Sequence, residues 1–143
     1  MIRCAIIDDE PLAIKLLETY IDKLDHVNLV WSHSNPLDAL TAIKEDAVDL
    51  LFLDIQMPEL SGIQFAKIIT DQTQIIFTTA YPEYAVEGFK LKALDYLVKP
   101  ISLHRFIDAV DRFKKSKDNE LVDTKDDGRS YRDERGFIGL KYG

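Results

Sequence analysis

The sequence predicts an α/β fold, a doubly wound sandwich built on a five-stranded parallel sheet with five helices. Five apolar runs of strand length alternate with segments whose apolar residues recur at helical spacing, which is the pattern of repeated strand-helix units. Each proline follows an apolar run and precedes a helix-like segment, where its missing N–H costs nothing. The prolines are Pro11, Pro36, Pro58, Pro82 and Pro100.

The strands are predicted from apolar residues at consecutive positions, which favour strands covered on both faces of a parallel sheet. The run Val27 to His33 is the weakest, because Asn28 and Ser32 interrupt it, and this places it at an edge. The predicted strands cover residues 2–7, 27–33, 49–53, 74–79 and 94–98.

The helices are predicted from stripes at i, i+3 and i+4 spacing. One stripe runs from Ala13 to Leu24, and another from Leu103 to Phe113 with Ser102 as its N-cap. Shorter helices are predicted at 36–45 and 59–70. The segment 82–91 has a thin apolar stripe and contains Gly88, so it is predicted to be a mobile helix.

Four of the five predicted strands end in polar residues suited to phosphate and magnesium. The flavodoxin-like strand order 2-1-3-4-5 brings these four strands together, and ligands of such sheets bind outside the carboxyl ends of the strands. The residues that should converge there are Asp8 and Asp9, Asp54, Thr79, and Lys99.

The composition favours a single globular domain in the cytoplasm. The chain has 143 residues, 46% of them hydrophobic, and a formal net charge of −7, which argues against direct binding to nucleic acid. Cys4 is the only cysteine and lies in an apolar run, so we expect a buried thiol. The sequence contains no signal-peptide pattern, no membrane-length apolar stretch and no glycine-rich nucleotide-binding loop.

Residue 116 marks a change in character along the chain. We expect one compact domain over residues 1–116. The segment 117–143 is either a linker and tail or the first residues of a truncated second domain, because Phe137, Ile138 and Leu140 could begin a strand that has no visible partner.

Three carboxylates brought to one place should repel each other. At about 5 Å and an effective dielectric constant near 20, each pair costs on the order of 3 kcal/mol. A divalent cation would offset that cost, and oxygen ligands with few protein groups suit Mg²⁺. Lys99 could bind a carboxylate or phosphoryl oxygen as a point charge, and Thr79 could donate to a phosphoryl oxygen. From periodicity alone, Tyr96 is a core residue.

Four segments, in this order, resemble the receiver domain of two-component response regulators over residues 1 to about 116. The similarity is CheY-like, and it is closest to receivers of LytTR-type regulators (the LytR/AlgR group). The segments are Ile6 to Pro11, Leu53 to Gly62, Phe77 to Tyr81, and Ala93 to Ile101.

The resemblance implies a signalling phosphoacceptor that catalyses only its own phosphorylation and slow dephosphorylation. Asp54 would be phosphorylated by a histidine kinase, with Lys99 and Thr79 assisting. Mg²⁺ would be bound by Asp8, Asp9, Asp54 and the backbone carbonyl of Gln56. Thr79 and Tyr96 would be the switch residues, and the Lys99-Pro100 bond would be cis.

The resemblance also implies an output. The face formed by the fourth helix, fifth strand and fifth helix would switch and favour a homodimer, and transcription would be controlled through a LytTR-type DNA-binding domain that residues 117–143 are too short to form. Two alternatives remain from the residues alone. One is a haloacid-dehalogenase-type phosphatase, which usually has a second acid where Gln56 stands; the other is an interaction module that is never phosphorylated.

Overall fold

The computed structural model describes residues 1–69, 72–84 and 93–126. Strands and helices alternate along the chain in the predicted order. They are β1 (Ile2–Ile7), α1 (Pro11–Asp22), β2 (Val27–His33), α2 (Pro36–Glu45), β3 (Leu50–Asp54), α3 (Gly62–Ile68), β4 (Gln74–Thr79), a 3-10 turn (Pro82–Tyr84), β5 (Asp95–Val98) and α4 (Leu103–Asp126).

The strands form a five-stranded parallel sheet in the order β2-β1-β3-β4-β5, as predicted. The register pairs Ile7 with Leu53 across β1 and β3, and Asp54 with Thr78 across β3 and β4. Parallel strands in register finish together, so the carboxyl ends of β1, β3 and β4 lie side by side. The polar residues that follow these ends are thereby brought to one edge.

The central strands form the core of the unit that spans residues 1–110. Every residue of β3 is buried, and so are the last four residues of β1, from Cys4 to Ile7. Phe52 stacks on Phe106 of α4 with ring centroids 5.1 Å apart. The buried thiol predicted for Cys4 is confirmed, and burial raises its pKa to about 12, which makes it an inert core residue.

Strand β2 lies at the edge of the sheet, as its polar interruptions predicted. After Val27, its residues are exposed or half-buried. Its register with β1 shifts between Cys4 and Ala5, where the pairing passes from Leu29 directly to Trp31. One extra residue in β2 is the pattern of a β-bulge, which is common at sheet edges.

Helix α3 and the predicted helix at 82–91 differ from the structure. Helix α3 begins at Gly62, three residues later than predicted, because Ser61 and Gln64 form a capping box and Glu59 has a positive φ of 71°. The described residues contain four α-helices, one fewer than predicted. The segment 82–91 begins as a 3-10 turn, and its residues 85–91 lie outside the described ranges.

Helix α4 is longer than the apolar stripe predicted. It continues to Asp126, so residues 117–126, predicted as linker, are helical. The reason is that neither glycine nor proline occurs between Pro100 and Gly128, and residues such as Lys, Glu and Leu favour helix. The chain divides into compact units of residues 1–110 and 111–143, and the predicted division at 116 stays a prediction. No helix among the described residues is long and apolar enough to cross a membrane.

Gly62 fixes the close approach of α3 to the end of β3. A Cβ atom at this position would lie 2.2 Å from the carbonyl oxygen of Asp54 and 2.9 Å from its carbonyl carbon. Because both atoms belong to the backbone, neither can move away without shifting the strand end.

We therefore expect Gly62→Ala to lower the free energy of unfolding by at least about 2 kcal/mol. Urea unfolding followed by circular dichroism measures it. The matched control is Ser61→Ala, which removes only the N-cap acceptor and should cost about 1 kcal/mol. A loss for Gly62→Ala no larger than that of the control would contradict the close approach.

Candidate functional site

Three carboxylates meet at the carboxyl end of the sheet. Asp8 directly follows β1, and Asp54 is the last residue of β3. These two residues are 1% and 3% exposed, and Asp9 is half-buried. One oxygen from each of the three residues lies within 4.8 Å of the others. The convergence predicted from the strand ends is therefore present for all three acids.

The backbone around the acids is held by hydrogen bonds from neighbouring strands. The amide of Asp8 donates to the carbonyl of His33 at 3.2 Å, and the amide of Ile55 donates to the carbonyl of Thr78 at 3.0 Å. Oδ1 of Asp8 accepts from the amide of Glu10 at 2.9 Å, which fixes the turn into α1. The acids thus sit on rigid strand ends rather than on a long loop.

Lys99 enters the cluster from β5. Its amide donates to the carbonyl of Thr79 at 2.7 Å, and its peptide bond with Pro100 is cis, as the resemblance implied. Its Nζ lies 2.9 Å from Oδ2 of Asp8, 2.9 Å from Oε1 of Glu10 and 3.7 Å from Oδ1 of Asp54. The ammonium therefore contacts carboxylates on two strand ends at once.

Burial sets the ionisation of the cluster. Removal from water, followed by the charge of Asp8, raises the pKa of Asp54 to about 8, and the opposing charge of Lys99 only reduces this rise. Burial alone would lower the pKa of Lys99, but Glu10, Asp8 and Asp54 outweigh it and raise that pKa above its ordinary value. The site therefore has a stable cation and a carboxyl group that resists ionisation.

The donor set fits a hard divalent cation. Asp8, Asp9 and Asp54 bring oxygens within 4.8 Å of one another, and Lys99 is the cation that contacts two of them, Asp8 and Asp54. Three acids beside one ammonium provide anionic oxygen donors for a cation. Oδ2 of Asp8 is buried and has an ion pair with Lys99 but no well-aligned hydrogen bond. Oxygen donors with residual negative charge are what Mg²⁺ prefers. The side chain of Gln56 is exposed, and the role of its carbonyl as a ligand stays a prediction.

The two predicted switch residues lie on β4 and β5. Thr79 is 1% exposed, and its Oγ1 accepts from the amide of Tyr81 at 2.9 Å and donates to the carbonyl of Tyr81 at 3.3 Å. Tyr96 pairs with Phe77 across the strands and is half-buried against the hydrophobic core, as its periodicity suggested. Asp54 pairs with Thr78 across β3 and β4, and Thr79 is the next residue of β4. Thr79 therefore lies at the same edge of the sheet as Asp54.

Sequence reasoning missed two ion pairs. Glu10 directly follows the Asp8-Asp9 pair, which places it beside the site, but that position alone does not give its pairing with Lys99. The other pair joins Asp95, 5% exposed, to Arg105 of α4 by two hydrogen bonds of 2.9 and 2.7 Å. Arg105 also donates to the carbonyl of Tyr96 at 3.0 Å. The acid inside the apolar run 94–98 indicated that Asp95 needs a partner, but it did not identify Arg105.

Comparison with known proteins identifies relatives of this arrangement. A family model described as response regulator receiver domain matches residues 4–111. Transcriptional regulatory protein BtsR of Salmonella typhi is 36% identical over 124 residues, which cover 85% of this chain and 52% of that protein. An uncharacterised response regulatory protein of Shewanella oneidensis is 37% identical over 117 residues, which cover 80% of this chain and 50% of that protein. The chain thus spans about half the length of these relatives.

Solved structures show the same fold. The response regulatory domain of protein mrkE from Klebsiella pneumoniae is 32% identical with a TM-score of 0.75, and the match covers 82% of this chain and 98% of that one. The receiver domain of the response regulator NarL from Mycobacterium tuberculosis is 25% identical with a TM-score of 0.72, covering 79% of this chain and 96% of that one.

The raised pKa of Asp54 predicts a pH-dependent gain in stability from Asp54→Asn in metal-free protein. Between the ordinary carboxyl value of 3.8 and about 8, the native state binds more protons at this position than the unfolded state does. The stability of the wild type therefore falls as pH rises through that window, whereas the asparagine does not titrate. We expect the gain in Tm to be small near pH 4 and largest above about pH 8.

Thermal unfolding in EDTA across this range measures the effect. The control is Asp25→Asn, which removes an exposed carboxylate outside the site and should give no such trend. A gain for Asp54→Asn that stays flat or shrinks as pH rises would contradict the assigned ionisation.

Proposed function

Because the chain belongs to the family of response regulator receiver domains, we propose that it accepts a phosphoryl group on Asp54 from a histidine kinase. Mg²⁺ would be held by Asp8, Asp9, Asp54 and the backbone carbonyl of Gln56. The observation that carries the proposal is the meeting of three acids with oxygens within 4.8 Å and a lysine ammonium beside them. The proposal depends on this geometry together with the family match.

The chemical step is a displacement at phosphorus. A carboxylate oxygen of Asp54 attacks the phosphoryl group of a phosphohistidine, the P–N bond breaks, and a P–O bond to Asp54 forms. The imidazole leaves and is reprotonated by solvent. Such transfers need positioning and charge neutralisation more than covalent assistance. The strand ends provide the positioning, since Asp54 and Lys99 are both fixed to the sheet by backbone hydrogen bonds.

Charge neutralisation would come from two sources. When bound, Mg²⁺ would favour the ionised form of Asp54 and balance the charge on the transferring group. Lys99 would then approach an oxygen of that group from its present position, 3.7 Å from Oδ1 of Asp54. The same groups explain why a carboxyl group with a raised pKa can act as a nucleophile near neutral pH.

The switch would follow from the new phosphoryl oxygens. We infer that the hydroxyl of Thr79 exchanges its hydrogen bonds with Tyr81 for one with a phosphoryl oxygen, and that Tyr96 fills the space left behind. The bidentate pair of Asp95 with Arg105 would transmit this movement, since Arg105 also holds the carbonyl of Tyr96. Receiver activation is then a shift between states that the resting protein already samples.

The output lies beyond the receiver fold. We propose a cytoplasmic protein that forms homodimers through the predicted face of the segment 82–91, β5 and α4, and that regulates transcription through a LytTR-type DNA-binding domain. The relatives named as transcriptional regulatory proteins, of which this chain spans about half, support this reading. Slow hydrolysis of the acyl phosphate would end the signal, with Gln56 and Tyr81 controlling the access of water.

Asp54→Asn should abolish labelling. We expect wild-type protein with Mg²⁺ to gain one phosphoryl group from acetyl phosphate, seen as a mass increase of the intact protein, and the variant to gain none because it lacks the nucleophilic oxygen. Asp25→Asn serves as the control that keeps the acceptor. Undiminished labelling of Asp54→Asn would move the acceptor elsewhere, and no labelling of the wild type would favour the interaction-module alternative.

Asp9→Asn should weaken Mg²⁺ binding at least about tenfold, because it removes an anionic oxygen from the proposed ligand set. Titration calorimetry measures the affinity, and the rise in Tm with Mg²⁺ concentration gives an independent value. The control, Asp49→Asn, changes an acid at the opposite end of the sheet. Equal affinities for wild type and Asp9→Asn would exclude Asp9 from the metal site.

A further inference from the structure

Glu10 contacts the cluster in a way that the proposed reaction does not use. Its Oε1 accepts from Nζ of Lys99 at 2.9 Å, although its own side chain is 65% exposed. Lys99, by contrast, is only 17% exposed. A solvent-facing carboxylate thus reaches inward to hold a largely buried ammonium, and it does so from the loop between β1 and α1.

The Nζ atom of Lys99 lies closer to the carboxylates that follow β1 than to the carboxylate at the end of β3. Asp8 and Glu10, on the β1 side, each lie 2.9 Å away, whereas Oδ1 of Asp54 lies 3.7 Å away. The two shorter contacts hold the ammonium towards the loop and away from the residue proposed to take the phosphoryl group. Asp8 is buried and is a proposed metal ligand. Glu10 is therefore the solvent-exposed partner of Lys99 that has no other proposed role.

The position of Glu10 is fixed by the fold. Its amide is bonded to Oδ1 of Asp8 at 2.9 Å, and its carbonyl accepts from the amides of Ala13 and Ile14 at the start of α1. The backbone therefore cannot follow Lys99 if the ammonium moves towards Asp54. If Nζ moved towards a new anion, the contact with Glu10 would be lost or would be kept only by rotation of the Glu10 side chain.

We propose that Glu10 is a positioning residue that restrains Lys99 in the resting protein and releases it to the phosphoryl group. The proposal rests on phosphoryl transfer to Asp54. Glu10 acts through Lys99 and is not among the residues proposed to hold Mg²⁺ or to react. Releasing Lys99 beforehand, by Glu10→Gln, removes an interaction made in the resting state that the transfer must give up, so transfer should become faster.

The first test reads Lys99 directly in metal-free protein. Carbon-13 NMR of the Lys99 Cε group, assigned from its loss in Lys99→Arg, reports how tightly the side chain is held. We expect Glu10→Gln to shift this signal and increase the motion of the Cε group, and Glu45→Gln, an exposed change of equal charge on α2, to leave both unchanged. An unaltered Lys99 signal in Glu10→Gln would overturn the proposal.

The second test reads the reaction. We expect Glu10→Gln to raise the labelling rate about two- to fivefold, the range set by the worth of an exposed ion pair. The increase should be similar with acetyl phosphate and with phosphoramidate, a less charged donor, because the effect passes through Lys99. An increase confined to acetyl phosphate would show simple repulsion of the donor. An unchanged rate would show that Glu10 does not restrain the transfer, and a slower rate would show that it assists. Each of these outcomes overturns the proposal.

Failure of the proposed function is distinguishable from failure of this inference. If the wild type takes no label from either donor, phosphoryl transfer to Asp54 is wrong, whatever the NMR signal shows. If the wild type is labelled and the Lys99 signal does not respond to Glu10→Gln, only the restraint by Glu10 is wrong.

Discussion

Repulsion between carboxylates held close together in a water-poor place is the constraint on which the rest of this structure depends. If all three were ionised, oxygens of Asp8, Asp9 and Asp54 within 4.8 Å of one another would repel by about 3 kcal/mol per pair at an effective dielectric near 20. Burial of apolar residues in the two central strands stabilises the fold and offsets the cost of holding the acids together. Lys99 offsets part of the repulsion, but burial first and the charge of Asp8 second still raise the pKa of Asp54.

The sheet explains why such an unfavourable group can be assembled. Parallel strands in register end at the same edge of the sheet, and the residues that follow them therefore lie close together. The backbone hydrogen bonds of Asp8, Ile55 and Lys99 to neighbouring strands then fix each side chain without help from the charges themselves. The protein tolerates the strain because the geometry is determined by the apolar core, not by the site.

Much of this could be read from the sequence because strand ends are marked by chemistry. Asp8, Asp54 and Lys99 each close an apolar run, and strand order places them together. The order itself followed from which runs carried polar ends. The start of α3 could not be read as easily, because the apolar pattern extends back to Leu60, while the Ser61-Gln64 capping box and the positive φ of Glu59 delay the helix.

Contacts between separate elements were the part that the sequence could not supply. The pairing of Lys99 with Glu10 depends on the angle at which α1 leaves β1, and the pairing of Asp95 with Arg105 depends on how α4 returns to β5. Neither of these helix orientations can be predicted from the nearby sequence. The extension of α4 to Asp126 was missed for a related reason, since the apolar stripe ends at Phe113 while helix propensity alone carries the chain further.

The contact between Gly62 and the Asp54 carbonyl has a consequence for how genetic screens of this protein would be interpreted. Position 62 lies outside the charged cluster and has no side chain, yet any replacement would displace the peptide of Asp54, the proposed acceptor. Loss-of-function mutations would therefore be found at position 62 as well as at the charged residues of the site. A list of such mutations would overestimate the number of residues that take part in the chemistry. Measuring whether each purified variant is correctly folded would separate the two classes.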